Sequence, residues 1–209
     1  MKLVFFGAPG AGKGTIAKML FDEKKIVHIS TGDLFREAIK NKTELGLKVS
    51  SILEKGELVP DELTIALVEE RTKKPDCAHG YILDGFPRTM VQAESWEKID
   101  RIDTAVYFDI DDELVRKRLS GRRMCPKCGA IYNVFFSQPK QEGLCDIDGE
   151  TLFTRKDDGL ETINNRLSVY HSQTEPLLGF YKELKKEVTI DASVSAEESY
   201  RQIKEKLGL

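Results

Sequence analysis

The residues from Gly7 to Thr15 have the composition of a phosphate-binding turn. They read Gly-Ala-Pro-Gly-Ala-Gly-Lys-Gly-Thr, directly after the apolar run 2–6 and before a segment whose apolar residues recur at helical spacing. Glycines let backbone N–H groups turn inward around an anion, and a helix N-terminus adds unpaired donors. Lys13 adds a full positive charge for the β- and γ-phosphates. Gly14 stands where the usual pattern has a hydroxyl, which weakens the expectation of a direct hydroxyl contact to Mg²⁺.

A carboxylate and an arginine follow a second buried strand. The apolar run 81–83 ends at Asp84, and Gly85 and Pro87 then predict a turn that would direct Arg88 into a cleft. An acid at the C-terminal tip of a strand, beside a phosphate loop, suits a position that holds Mg²⁺ through water. Without the phosphate loop, a turn cap would be the preferred interpretation of Asp84.

Three of the four cysteines have the spacing of a metal site. Cys125 and Cys128 form a C-x-x-C pair, and Cys145 with Asp148 repeats that spacing, although Asp146 is a competing ligand. Two such turns frame a tetrahedral zinc site. Since the protein would fill all four positions, we predict a closed, structural Zn²⁺ site that organises a segment too short to have its own core.

Arginines are scattered along the chain, and several lie beside Gly, Pro or helix-start residues that would direct them inward. Phosphoryl transfer spreads negative charge over three oxygens and requires surrounding cations more than it requires a base. A cleft that holds two nucleotides would therefore need several guanidinium groups. The candidates are Arg36, Arg88, Arg118, Arg122, Arg123, Arg155 and Arg166.

Short apolar runs alternate with helical patterns, which predicts an α/β fold with a parallel sheet covered on both faces. The predicted strands are 2–6, 26–30, 81–83, 105–110 and 188–191, and Thr31-Gly32-Asp33 reads as a turn with a possible helix cap. Between Gly121 and Gly159 the helical period is lost, and 131–136 has a short strand pattern.

Composition narrows the class of protein. The chain has 209 residues, 40% of them hydrophobic and 32% charged, with a net charge of −3. This balance argues against a nucleic-acid or membrane-surface protein, and no apolar run reaches transmembrane length. The chain begins directly in a strand pattern with no signal peptide, so we expect a cytoplasmic protein with reduced cysteines.

Together these motifs resemble the adenylate kinases, over essentially the whole chain. The resemblance lies in Gly-Ala-Pro-Gly-Ala-Gly-Lys-Gly-Thr at 7–15, Ser-Thr-Gly-Asp-Leu at 30–34, Asp-Gly-Phe-Pro-Arg at 84–88, Gly-Arg-Arg at 121–123 and Thr-Arg-Lys-Asp-Asp at 154–158. The combination is highly specific, whereas the phosphate loop alone would not be. The chain is similar to the long-lid bacterial form, which carries a zinc site.

The resemblance implies a P-loop nucleoside monophosphate kinase core with a five-stranded parallel sheet. The core would comprise 1–29, 60–121 and 160–209, with an AMP-binding insertion at 30–59 and a zinc-bearing lid at 122–159. The implied reaction is reversible phosphoryl transfer from MgATP to AMP, giving two ADP and maintaining adenine nucleotide balance. Closure of the two insertions would exclude water, and the family is usually monomeric.

The resemblance also implies roles for individual residues. Lys13, Arg88, Arg122, Arg155 and Arg166 would be catalytic. ATP would be held by Gly10, Ala11, Gly12, Lys13, Gly14, Thr15, Arg118, Arg122, Ile131, Tyr132 and Val194, the last through its backbone where many members have lysine. AMP would be held by Thr31, Arg36, Glu57, Leu58, Val59, Gly85, Phe86, Pro87, Arg88, Gln92, Arg155 and Arg166, with Gln92 reading the adenine edge. Asp84 would hold Mg²⁺ through water, and Asp157 and Asp158 would belong to the lid hinge.

Two other functions remain as alternatives. The first is a monophosphate kinase for UMP, CMP or GMP, against which Gln92 and the long lid favour AMP. The second is a nucleotide-dependent binding switch whose zinc segment contacts nucleic acid or protein. The acidic balance and the lack of interleaved aromatic and basic residues in that segment argue against it.

Overall fold

A computed structural model describes all 209 residues, and its centre is a five-stranded parallel sheet. The strands are β1 (Lys2–Gly7), β2 (Val27–Ser30), β3 (Tyr81–Asp84), β4 (Thr104–Asp109) and, near the C-terminus, β7 (Glu187–Asp191), in the spatial order β2-β3-β1-β4-β7. A separate antiparallel pair is formed by β5 (Arg122–Met124) and β6 (Ile131–Asn133). The predicted α/β fold and its parallel sheet are confirmed.

Nine α-helices connect and cover the strands. They are α1 (Lys13–Lys24), α2 (Thr31–Lys40), α3 (Glu44–Glu54), α4 (Asp61–Thr72), α5 (Met90–Ile99), α6 (Asp112–Ser120), α7 (Leu160–Val169), α8 (Leu177–Glu183) and α9 (Ala196–Leu207). Between α7 and α8 the chain makes a π-helical turn at Tyr170–Thr174. None of the helices combines the length and the apolar character needed to span a bilayer.

Successive side chains of β1 point to opposite faces of the sheet, which explains why residues 3–6 are all apolar. Val4 and Phe6 belong to the core cluster on one face of the sheet, and Leu3 and Phe5 belong to the cluster on the other. Because helices cover both faces, the side chains of residues 3–6 are all buried, as expected for a central parallel strand.

Two smaller apolar clusters lie outside this sheet core. Phe35, Val49 and Val59 form one within 30–59. The other, within 122–159, contains Tyr132 with the buried Cys125 and Cys145. Each of the two predicted insertions thus has local packing of its own.

Two local predictions differ from the structure. Residue Thr31 begins α2, and Ser30 before it is the cap, because the Ser30 side chain accepts a hydrogen bond from the Asp33 N–H. The strand predicted over 131–136 ends at Asn133, because the chain turns back there and Ser137 N–H donates to the Asn133 carbonyl.

Candidate active site

The turn from Gly7 to Lys13 lies at the C-terminal edge of the sheet, between β1 and α1. Gly10 and Gly12 have φ angles of 81° and 95°, a left-handed conformation that favours glycine. A Cβ on Gly10 would also lie 2.8 Å from the side chain of Leu119, so helix α6 packs directly on the turn. Backbone conformation therefore requires glycine at positions 10 and 12, and close packing also requires it at position 10.

Lys13 folds back over this turn. Its Nζ donates to the carbonyl oxygens of Gly7 (2.9 Å) and Ala8 (2.8 Å). Burial, opposed by Asp84 and reinforced by the charges of nearby arginines, lowers the pKa of Lys13 from 10.5 to about 8. The positive charge of the Lys13 ammonium is poorly neutralised by its surroundings, which favours the binding of an anion.

Asp84 ends β3 and lies beside the phosphate turn. Its Oδ2 is 3.2 Å from Nε2 of His28 on the neighbouring strand β2. Burial would raise the pKa of Asp84, but the hydrogen bond from His28 and the charges of Lys13 and Arg88 hold the pKa below its ordinary value. A buried, ionised carboxylate at this edge has the chemistry to hold Mg²⁺ through water.

Arg88 is held on three sides by hydrogen bonds. Its Nε donates to the Gly85 carbonyl (2.8 Å), its backbone N–H donates to Oε1 of Gln92 (2.7 Å), and its carbonyl accepts from the Thr174 hydroxyl (2.9 Å). Burial lowers the pKa of the guanidinium, with Asp84 opposing this effect. These bonds use the backbone and Nε of Arg88, and the residue lines the cleft.

A second group of cations lies near the two ends of the 122–159 segment. Arg122 makes a bidentate pair with Asp158, through Nε to Oδ2 (2.8 Å) and through a terminal nitrogen to Oδ1 (2.5 Å). Arg166 donates to Oδ2 of Asp157 (3.0 Å). Burial and neighbouring guanidinium groups lower the pKa of Arg155 and of Arg166 to about 10. Like charges buried so closely favour the binding of a polyanion.

The main cleft, of about 1030 Å³, brings together most of the predicted site residues. Its lining includes Gly10, Ala11, Gly12, Lys13, Gly14, Thr15, Arg36, Leu58, Asp84, Gly85, Pro87, Arg88, Arg118, Arg122, Ile131, Tyr132, Arg155, Arg166 and Val194. Arg118 donates to the carbonyls of Ala192 (2.8 Å) and Val194 (3.1 Å), which connects α6 to the loop before α9.

A smaller recess beside Arg88 holds most of the remaining residues. Thr31, Glu57, Leu58, Val59, Gly85, Arg88 and Gln92 line it, together with Phe35, Leu53 and Thr64. Phe86 does not line the cleft or the recess: it is fully buried, with its ring 5.2 Å from Trp96 in the sheet core. The structure therefore places Phe86 in a packing position.

Three residues of the site were not found from the sequence. His28 contacts Asp84, Asp61 contacts the amide of Gln92, and Thr174 contacts the Arg88 carbonyl. The position of His28 two residues before the end of a strand was a usable signal. No local pattern indicated Asp61 or Thr174, since both act across long separations in sequence.

The candidate metal ligands converge as their spacing predicts. The ligand atoms of Cys125, Cys128, Cys145 and Asp148 all lie within 4.8 Å of one another, and the sulfurs of Cys128 and Cys145 are 3.5 Å apart. Tetrahedral zinc with Zn–S bonds of about 2.3 Å separates its sulfur ligands by about 3.8 Å. The backbone N–H groups of residues 127 and 128 point at the Cys125 sulfur. These donors fit a thiolate that holds Zn²⁺.

Asp146, the competing ligand, has a different role. Its carboxylate accepts a hydrogen bond from the Lys140 N–H (2.8 Å), and it is outside the cluster of converging ligand atoms. Asp148 instead lies 3.4 Å from the sulfur of Cys125. The geometry favours Asp148 as the fourth ligand.

Comparison with known proteins places these features in a family. The family model described as adenylate kinase matches residues 5–186. An adenylate kinase of Carboxydothermus hydrogenoformans is 50% identical over 212 aligned positions, covering 99% of each chain. Adenylate kinases of Ruminiclostridium cellulolyticum (45% identical, 100% of each chain) and Thermosipho africanus (46% identical, 97% of each chain) are similar over the same extent.

Proposed function

The chain belongs to the adenylate kinase family, and from this premise we propose how its cleft transfers the terminal phosphoryl group of MgATP reversibly to AMP, giving two ADP. One observation carries the proposal: Lys13 and the guanidinium groups of Arg88, Arg122, Arg155 and Arg166 line a single cleft at the end of the sheet. That number of buried cations suits the phosphates of two nucleotides lying end to end.

We assign the phosphate turn side of the cleft to ATP. The backbone of Gly10 to Thr15 would surround the β-phosphate, and Lys13 would exchange its carbonyl partners for phosphate oxygens. Arg118 and the backbone at Val194 would lie along the nucleoside, with Ile131 and Tyr132 above it in the 122–159 segment. Arg122 would contact the γ-phosphate.

We assign the recess beside Arg88 to AMP. Thr31, Glu57, Leu58, Val59 and Gln92 would surround the base, and Arg36 and Arg88 would bind the α-phosphate. Gly85 and Pro87 shape the turn that directs Arg88. Phe86 would support this turn from the core and would not touch AMP.

Transfer itself would depend on charge and position. The AMP phosphate oxygen is already a nucleophile, so no general base is needed, and the cleft contributes orientation and cations. Arg88, Arg155 and Arg166 would stabilise the transferring group from sides that Lys13 and Arg122 do not cover. Mg²⁺ bound with ATP supplies further neutralisation of the phosphates, and Asp84, aligned by His28, is the residue that would hold it through water.

Water must be excluded, because a phosphoryl group exposed to water would be hydrolysed. We propose that residues 30–59 close over AMP and residues 122–159 close over ATP, against a core of 1–29, 60–121 and 160–209. The separate apolar clusters in the two segments support their movement as bodies. The exposed ion pair between Lys156 and Glu54 (3.1 Å) joins the two segments, and breaking it would cost little free energy.

We further propose that Cys125, Cys128, Cys145 and Asp148 hold a structural Zn²⁺ that stiffens the 122–159 segment. All four protein ligands are present, so the site has no open coordination position for catalysis. We also propose a cytoplasmic monomer that acts on free ATP, ADP and AMP and not on nucleic acid or membranes.

The decisive assay mixes ATP, AMP and Mg²⁺ and follows ADP. Lys13→Met and Arg88→Ala should each reduce turnover by about 10²–10³, the effect of losing one transition-state donor. Lys98→Met and Arg101→Ala, at exposed positions, are matched controls that should keep wild-type rates. Near-normal turnover in either cleft variant would remove its assigned role.

The same assay separates the alternative functions. Replacing AMP by UMP, CMP or GMP as acceptor tests the rival monophosphate kinases. ADP formation in the absence of any macromolecule is the result that a nucleotide-dependent binding switch would not give.

A further inference from the structure

Gln92 is buried, with 2% of its surface exposed, and lines the recess assigned to the base of AMP. Two neighbours already use half of its hydrogen-bonding capacity. Its Oε1 accepts the backbone N–H of Arg88 (2.7 Å), and its Nε2 donates to Oδ1 of Asp61 (2.8 Å). Since an amide has two donors and two acceptor sites, one N–H and one lone pair remain for a ligand.

These two neighbours determine which way the amide faces. A backbone N–H can only donate, so it requires the oxygen, whereas a carboxylate can only accept, so it requires the nitrogen. Asp61 is itself held, because its Oδ1 also accepts from the Thr89 hydroxyl (2.9 Å), and Thr89 caps the helix that carries Gln92. The orientation of the amide is therefore built into the protein before a nucleotide binds.

The fixed orientation has a consequence for base choice. The edge of adenine presents a donor, its exocyclic amine, beside an acceptor, its ring nitrogen N1, and an amide with a free oxygen and a free N–H matches that pair. Hypoxanthine and guanine reverse the pattern, with an acceptor at O6 and a donor at N1. They would match the same glutamine only if its amide rotated by half a turn.

We propose that Asp61 is a specificity-determining residue that keeps the Gln92 amide in the orientation complementary to a 6-aminopurine and opposed to a 6-oxopurine. The inference rests on the proposed assignment of this recess to the acceptor nucleotide. Asp61 lines neither the cleft nor the recess, and its Oδ1 accepts from Gln92 and Thr89. It therefore acts through Gln92 and is a positioning residue.

The test compares AMP with IMP as phosphoryl acceptors at saturating MgATP. IMP is the preferred probe because it lacks the 2-amino group of GMP, so it changes only the edge that Gln92 faces. The measured quantity is the ratio of kcat/KM for AMP to kcat/KM for IMP. We expect Asp61→Ala to lower this ratio about tenfold, the effect of one hydrogen bond to a charged group.

Asp61→Asn is the conservative variant, since its side-chain oxygen can still accept from both Gln92 and Thr89, and it should retain the wild-type ratio. Glu62→Ala removes an exposed carboxylate at the next position of α4 and should also retain it. The change in Asp61→Ala should fall on KM for AMP, with KM for ATP unaltered. A purely structural role would alter both KM values together.

If Asp61→Ala does not fold, Asp61→Ser replaces it, because serine suits the start of a helix but is too short to reach Gln92. A folded variant without the carboxylate that keeps the wild-type AMP-to-IMP ratio would overturn the inference. So would equal losses for AMP and IMP. A wild-type protein that phosphorylates neither would instead contradict the proposed function, so the two failures are distinguishable.

Discussion

Replacing Asp158 by asparagine should test how much the buried ion pairs of Arg122 and Arg166 contribute to the stability of the protein. The side chain of Asp158 has no exposed surface, and that of Arg122 is 13% exposed. Asp158 also lies 3.4 Å from a terminal nitrogen of Arg166. Asparagine keeps the shape but removes the charge, so two buried guanidinium groups lose a common counterion.

The size of the effect follows from burial. Removing one partner of a buried ion pair costs about 3–5 kcal/mol, because the remaining charge stays desolvated. Asparagine retains one acceptor oxygen, and Asp157 still pairs with Arg166, which favours the lower end of the range. For a chain of this size, 1 kcal/mol shifts Tm by about 2–4 °C, so about 3 kcal/mol predicts a fall of about 6–12 °C.

Thermal unfolding followed by far-UV circular dichroism measures the shift. Lys156→Gln is the matched control: it lies two residues away and breaks an exposed pair with Glu54, in which the two side chains are 85% and 52% exposed. Such a pair contributes about 0–1 kcal/mol, so its removal should lower Tm by no more than about 4 °C. Saturating Mg²⁺ and ADP should reduce the difference in Tm between the wild type and Asp158→Asn, because phosphate would return negative charge to Arg122.

Equal Tm values for Asp158→Asn and Lys156→Gln would refute this reasoning. They would mean that the Arg122–Asp158 pair is as weakly coupled as a surface pair. If Mg²⁺ and ADP leave the difference in Tm between the wild type and Asp158→Asn unchanged, the assignment of Arg122 to a phosphate is contradicted.

Two further predictions concern the metal and Lys13. Chelation should lower Tm more than it lowers activity at low temperature, because the site at Cys125, Cys128, Cys145 and Asp148 would stabilise a segment and take no part in the reaction. Equal early loss of Tm and activity, or no zinc in elemental analysis, would contradict a structural site. The pKa of Lys13, lowered to about 8 in the free protein, should return toward 10.5 beside ATP phosphates. ATP binding should therefore take up a proton between about pH 8 and pH 10.5. ATP affinity should fall as pH rises through that window. Calorimetry at pH about 9 in two buffers of different ionisation enthalpy measures this uptake, which Lys13→Met should abolish; heats that do not depend on the buffer would argue against it.

Much of the fold could be predicted from local patterns. The five parallel strands and the helix after the phosphate turn follow from uninterrupted apolar runs and from helical spacing. Gly56 and Ser195 are residue types typical of helix caps. In the structure, Gly56 has a φ of 75° and the Ser195 side chain accepts from Glu198 N–H. The error at Ser30 arose because one side-chain hydrogen bond decides which of two neighbouring residues is the cap. The error after Asn133 arose because paired backbone hydrogen bonds between Asn133 and Ser137 turn the chain back.

Motifs also indicated the chemistry of the site, because the types and spacing of residues such as Lys13 and Cys125 are already specific. The sequence could not show that Phe86 turns into the core against Trp96 while its neighbours Gly85 and Pro87 line the cleft. Adjacent residues in one motif can face opposite ways, and the choice depends on what packs against them.

By itself, the sequence determined the class of fold, the glycine-rich turn and the cysteine cluster that could hold a metal, since each depends on residues close together in the chain. Only the tertiary structure decided the partners of the cleft residues: His28 for Asp84, Thr174 for Arg88 and Asp61 for Gln92. These contacts join positions 56, 86 and 31 residues apart. Hydrogen bonds at such separations depend on how the sheet and helices pack, and no local pattern of residues encodes that packing.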